Sequence, residues 1–72
     1  MPQRFYFDLV NGFTIIRDDE GVEADDQHLA VMYAEEAIYE MRLNGELRRI
    51  EGDWRLHIRT QSGAVLATLP VS

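Results

Sequence analysis

The chain has 72 residues, a net charge of −6 and no cysteine. A chain this short buries only roughly 60% of its unfolded surface, so one thin-cored domain covering residues 1–72 is expected, and disulfides, thiolate metal sites and a cysteine nucleophile are excluded. The acidic charge disfavours nucleic acid and anionic membranes as partners. With no secretory signal and no window approaching the ~20 apolar residues of a membrane span, a cytoplasmic location is predicted.

The first predicted elements form a hairpin. Residues 4–10 alternate between two faces, which is the period of a strand. Asn11-Gly12 follows and favours a two-residue type I′ turn, after which residues 13–17 return as a second strand. This turn fixes a register in which Leu9 lies opposite Thr14 and Phe7 opposite Ile16.

A turn and an amphipathic helix follow the hairpin. Either Asp25 or Asp26 supplies the side-chain oxygen that caps a helix over residues 27–44. Gly45 favours termination of this helix. Residues 46–53 are interpreted as a connecting loop that tucks Leu47 and Ile50 beneath the helix end. The apolar stripe of the helix consists of Ala30, Ala34, Ala37, Ile38 and Met41, and a weaker second stripe consists of Met32, Tyr39 and Leu43.

A second hairpin completes the predicted fold. Residues 54–60 alternate, Gln61-Ser62-Gly63 indicates a turn, and residues 64–71 return as the fourth strand. The fold class is therefore α+β with the order ββαββ, in which one helix covers one face of a four-stranded, mainly antiparallel sheet. We place residues 64–71 beside residues 4–10, so the predicted strand order is 2-1-4-3. The predicted core face carries Phe5, Phe7, Leu9, Ile16, Trp54, Leu56, Ile58, Val65, Ala67 and Leu69.

No group of residues specifies a reaction. Residues 18–26 are acidic, but aligning Gly21 with the glycine of a calcium-binding EF-hand loop puts Ile16 and Gln27 at ligand positions that they cannot fill. His28 and His57 form no helical metal pair, and no hydroxyl residue has an adjacent base. We therefore predict no catalytic residue, no metal site and no cofactor, and a protein that is not an enzyme.

The sheet face opposite the helix is the most informative feature. It combines aromatic, aliphatic and guanidinium groups, as the cores of protein interfaces do. One interpretation is protein contact, by self-association as a homodimer or with an unknown protein partner. A second is stacking of single-stranded nucleic-acid bases, and a third is an apolar surface covered by a loop or the C-terminus. The candidate interaction residues are Tyr6, Phe13, Ile15, Arg17, Arg55 and Arg59.

Five segments together carry a resemblance to a known family. They are RFYFDL at the start, the glycine turn, DDEGVE before the helix, the lone Trp54 and the terminal TLPV. This pattern resembles a family of very short bacterial proteins, mostly alphaproteobacterial, known only as a domain of unknown function. The resemblance implies no activity, cofactor or catalytic residue. The resulting hypothesis is a non-catalytic protein-interaction module that self-associates through the open sheet face, with single-stranded nucleic-acid binding or regulation through the Arg/aromatic face as the alternative.

Overall fold

A computed structural model describes residues 2–45 and 53–71, which form one helix and five strands. The predicted α+β class is confirmed, and one short strand precedes the helix in addition to the four predicted. The packing predicted for Leu47 and Ile50 lies outside the described residues. The elements are β1 (Gln3–Val10), β2 (Ile15–Ile16), β3 (Val22–Ala24), α1 (Gln27–Leu43), β4 (Arg55–Thr60) and β5 (Val65–Pro70).

The strands form one antiparallel sheet in the order β2-β1-β4-β5, and β3 also pairs with β1. β4 pairs with β1 from Phe5↔Thr60 to Val10↔Arg55, so β2 and β3 share the opposite edge of β1. The predicted order, with residues 64–71 beside β1, is wrong. β4 is buried on both faces, through Ile58 on one and Arg59 on the other, whereas β5 is an edge strand.

The first hairpin differs from the prediction in its turn. Residues 11–14 form a four-residue connection in which Asn11 Oδ1 accepts hydrogen bonds from the amides of Phe13 (2.9 Å) and Thr14 (2.8 Å). These bonds fold the chain without the positive φ that a type I′ turn needs at Gly12. Phe13 therefore lies in the turn rather than in a strand. The observed register is Leu9↔Ile16 and Val10↔Ile15, a shift of two residues that keeps each side chain on its predicted face.

The helix forms as its sequence predicts. Asp26 is the N-cap, and its side chain accepts a hydrogen bond from the amide of Leu29 at 2.9 Å. Gly45 follows the C-terminus with φ of 73°, the left-handed conformation that glycine tolerates. Ala30, Ala34 and Ile38 are buried. The small alanines allow the helix to lie close to β3, β4 and β5.

The core lies between the helix and the sheet. It departs from the prediction at Ala24, which lies on the unpredicted strand β3, and at three further residues. Val65 is half exposed because a register shift between Ile58 and Arg59 displaces the start of β5. Ile16 is also half exposed, because the helix lies over β3, β4 and β5 rather than over β2. Val71 is fully buried, and its amide donates to Trp54 O at 3.0 Å. The buried hydrophobic residues are Phe5, Ala24, Ala30, Ala34, Ile38, Leu56, Ile58 and Val71.

Candidate interaction surfaces

The centre of the open sheet face is a buried ion pair. Arg59 on β4 lies diagonally across from Asp8 on β1, since the paired residues are Tyr6↔Arg59 and Asp8↔His57. Arg59 Nε lies 2.7 Å from Asp8 Oδ2, and Arg59 Nη2 lies 3.3 Å from Asp8 Oδ1. Both side chains are only 8% exposed. Two bonds between a planar guanidinium and one carboxylate fix the orientation of both groups.

The connection from β2 to β3 closes over this pair through Asp18. The Asp18 amide donates to Asp8 Oδ1 at 2.9 Å, and the Asp18 carbonyl accepts from Arg59 Nη2 at 3.1 Å. The Asp18 carboxylate reaches the edge of β1, where Oδ2 accepts from the Phe7 amide at 3.0 Å. Its Oδ1 accepts from the amides of Glu20 and Gly21, both at 3.1 Å. Asp18 therefore satisfies the β1 edge between the segments that β2 and β3 cover.

The ionisation of the pair follows from these contacts. Burial alone would raise the pKa of Asp8, but hydrogen bonds from Arg59 and from the Asp18 amide, together with the charges of Arg59 and Arg17, hold that pKa below its usual range. The hydrogen bond to Asp8 raises the pKa of Arg59. Both groups are therefore charged at neutral pH.

Two predicted interaction residues belong to this polar cluster, which we define as Tyr6, Asp8, Asp18 and Arg59. The Arg59 guanidinium lies over the Tyr6 ring, 4.5 Å from its centroid, in a cation–π contact. Arg59 is buried and Tyr6 is half-buried. Neither residue presents the free guanidinium or open ring that the prediction of an exposed Arg/aromatic face assumed, so that part of the prediction is corrected. The cluster's role is to hold the β2–β3 connection on the sheet.

The other four predicted residues are exposed and lie at one end of the sheet. Phe13 is fully exposed in the turn, and Ile15 on β2 lies beside Val10. Arg55 pairs with Val10 from the other side, and Arg17 follows β2. The structure thus places an apolar surface flanked by arginines here. We call the exposed residues Phe13, Ile15, Ile16, Arg17 and Arg55 the hairpin end.

A second exposed surface lies at the opposite edge of the sheet, and the sequence singled out only its Tyr39, as part of the second helix stripe. A groove of about 330 Å³ separates the C-terminal half of α1 from β5. Val65 and Leu66 are exposed on β5, and Tyr39, from the predicted second stripe of the helix, is 61% exposed beside the groove. The groove is lined by Glu35, Ile38, Tyr39, Arg42, Leu69 and Pro70. We call these residues together with β5 the β5 surface.

The hydroxyl groups of Thr60 and Ser62 belong to the second hairpin turn. The Thr60 hydroxyl lies 2.9 Å from Ser62 Oγ and accepts from the Ala64 amide, which shapes the second hairpin turn. Within residues 2–45 and 53–71, no three acidic or histidine side chains lie close enough together to hold a metal ion. No helix in the described part of the chain has the length and apolarity to cross a membrane.

The polar cluster and the β5 surface were missed for one shared reason. With β5 assigned to the centre of the sheet, Asp8 and Arg59 were two strands apart, and β5 had no open edge. One signal was available, because Asp8 and Arg59 both occupy the same face of alternating strands. A charge of each sign on one face of neighbouring strands favours cross-strand pairing, and this argument places β4 beside β1.

The comparison with known proteins identifies a family and no activity. No curated protein and no solved structure matches the chain significantly. A family model matches residues 4–72. This range includes the helix, the polar cluster, both exposed surfaces and all five strands, apart from Gln3 at the start of β1. The chain therefore belongs to the family described as Domain of unknown function (DUF6894).

Proposed function

We propose that this protein is a small, non-catalytic protein-interaction module that self-associates. The observation that supports the proposal is the exposure of large apolar side chains at both outer edges of the sheet. Phe13, Ile15 and Ile16 are exposed at one edge, and Val65 and Leu66 at the other. A chain of 72 residues has little core, and unpaired edge strands are ready templates for pairing with another chain. Association would bury part of this apolar surface.

Nucleic-acid binding is the alternative, and the contacts of the open face give it less support. Base stacking needs an accessible ring, and phosphate binding needs a free cation. The Arg59 guanidinium covers the Tyr6 ring and is held by Asp8. Of the predicted face, this leaves Phe13 as the exposed ring and Arg17 and Arg55 as the exposed cations. The net charge of −6 opposes a polyanion as well.

The cellular setting forms part of the same proposal. The resemblance to very short bacterial proteins suggests a bacterial, mainly alphaproteobacterial, origin. A cytoplasmic location fits a chain without cysteine, because disulfides are rare in reducing compartments.

Sedimentation velocity over a concentration series, from low micromolar to high micromolar, tests the proposal. We expect the mass to rise from monomer to dimer, and we expect the transition to persist in high salt because apolar burial drives it. A monomer at every concentration would contradict self-association. Binding of a single-stranded oligonucleotide that collapses as salt rises would instead support the alternative.

A further inference from the structure

We infer that a second copy of this chain docks along the β5 surface, as a two-fold dimer in which the β5 strands pair antiparallel and the helices lie side by side. This inference rests on the proposed function, since it names the surface and the occupant of the self-association. The first argument concerns the edge itself. Among the described residues, β5 is the outer strand of the sheet and pairs with β4 on one side only. Its free side can hydrogen-bond to a further strand.

The β5 edge lacks the charges that keep edge strands apart. No charged residue or histidine occurs between Thr60 and Ser72, whereas exposed edges of monomeric proteins usually carry charged side chains. Pro70 and the register shift opposite Arg59 lie at the two ends of β5. They limit the length of any pairing and leave Leu66, Ala67, Thr68 and Leu69 between them as the pairing segment.

The surface beside this edge is apolar and continues onto the helix. Tyr39 and Ile38 line one wall of the groove, and Leu69 and Pro70 line the other. Tyr39 is mostly exposed although it lies directly beside core residues. An antiparallel partner strand on β5 carries its own helix along this groove, because both helices then lie on the same face of the joined sheet. The two Tyr39 side chains are thereby brought near the two-fold axis.

The charges on the helix are complementary to a second copy. Glu35 and Arg42 stand on either side of Ile38 and Tyr39 along the groove wall, at spacings that keep all four residues on one side of the helix. A two-fold axis near Tyr39 makes the helices antiparallel, so Glu35 of each copy faces Arg42 of the other. Arg42 already lies near the end of β5, since its Nη2 donates to the carbonyl oxygen of Val71, the residue after β5, at 3.3 Å.

The hairpin end does not have this self-complementarity. Its two charges, Arg17 and Arg55, have the same sign. A two-fold contact there brings arginine against arginine. The second copy is therefore assigned to the β5 surface and not to the open face on which the sequence places it.

A matched pair of threonine substitutions tests the assignment, because Thr68 lies on β5 and Thr14 lies beside Phe13 and Ile15 at the hairpin end. Both threonines are exposed. Dimer dissociation constants are measured by sedimentation for wild type, Thr68→Lys and Thr14→Lys, with circular dichroism and Tm to verify folding. We expect Thr68→Lys to raise the dissociation constant at least about tenfold, because lysines then lie in a paired edge. We expect Thr14→Lys to leave it unchanged.

The outcomes separate this inference from the proposed function. Should wild type stay monomeric, self-association itself fails. A wild-type dimer that is lost in Thr14→Lys but kept in Thr68→Lys would overturn the β5 assignment and leave self-association standing. Should Thr68→Lys not fold, Leu66→Lys, also at an exposed β5 position, provides the same measurement.

Discussion

The two outer edges of the sheet differ in strand continuity and in charge. The β2–β3 edge consists of two short strands of two and three residues. In the gap between them, the Asp18 carboxylate accepts a hydrogen bond from the Phe7 amide. At the other edge β5 runs for six residues without a charged side chain. Interruption and charge protect an edge from pairing, and a continuous uncharged strand does not.

The difference indicates which edge is completed within the chain and which edge we infer to be open to a second copy. The β2–β3 edge is tied to the buried Asp8–Arg59 pair, so its closure contributes to the stability of the monomer. The exposed Arg4–Glu23 ion pair, at 3.1 Å, adds a peripheral contact at the same edge, and exposed pairs of this kind contribute little. Substitutions at the β2–β3 edge should therefore change folding, and substitutions at β5 should change association.

The largest expected effect follows from removing Asp8. Asp8→Ala leaves the Arg59 guanidinium buried without its carboxylate and removes the acceptor of the Asp18 amide. We expect Tm to fall by about 10 °C or more, measured by circular dichroism at a concentration where the protein is monomeric. Asp19→Ala, an exposed acidic neighbour of Asp18, is the control and should change Tm little. Equal effects of the two substitutions would contradict the role given to the pair.

A smaller effect is expected where the β2–β3 connection returns to β1. Gly21 has φ of 72°, and a Cβ placed there would lie 2.7 Å from Phe5 O. Gly21→Ala is therefore both strained and crowded, and we expect it to lower the free energy of unfolding by about 2 kcal/mol. Gly12→Ala is the matched control, because nothing lies within 4 Å of its Cβ. Urea unfolding should show a change of less than about 0.5 kcal/mol for the control, and similar losses for both variants would refute the close approach.

The pH dependence of stability tests the Asp8–Arg59 ion pair through a smaller expected effect. The folded-state pKa of Asp8 is lowered, so the ionised pair contributes its stability above the unfolded-state pKa, about 4, and loses it as the pH falls through the folded-state value. Asp8→Asn keeps the size of the side chain and has no such titration. The difference in Tm between wild type and Asp8→Asn should therefore shrink below about pH 4. A constant difference from pH 7 to pH 2 would mean that Asp8 does not titrate as described.

Patterns among residues close in sequence predicted the helix and four of the strands. The predicted strand order was wrong, because it depends on pairing between residues far apart in sequence. The helix, a cap at Asp25 or Asp26 and the glycine that ends the helix depend on residues close in sequence, so their patterns predicted them, and the structure identifies Asp26 as the cap. The order of β4 and β5 depends on which strand meets β1 across the intervening helix, and alternation looks the same in both. The Asp8–Arg59 pair decides between them.

The sequence likewise predicted some features of the candidate surfaces and missed others. Exposure of Ile15, Arg17 and Arg55 follows from strand alternation, whereas Phe13 is exposed in the turn and not in the strand predicted for it. The structure places all four at the hairpin end. Burial of Arg59 depends on the Asp18 backbone, which no periodicity encodes. Recognition of β5 as an edge required the strand order, so its uncharged sequence could not be interpreted before the sheet was assembled.

Reciprocal charge exchange on the helix tests the contrast between the two edges most directly. Glu35→Arg and Arg42→Glu each place like charges across the inferred two-fold axis, and the double variant restores opposite charges with their positions exchanged. The account predicts that each single variant weakens the dimer in sedimentation at low salt and that the double variant recovers the wild-type dissociation constant. A double variant as weak as the sum of the single losses, or single variants that associate like wild type, would contradict docking along β5.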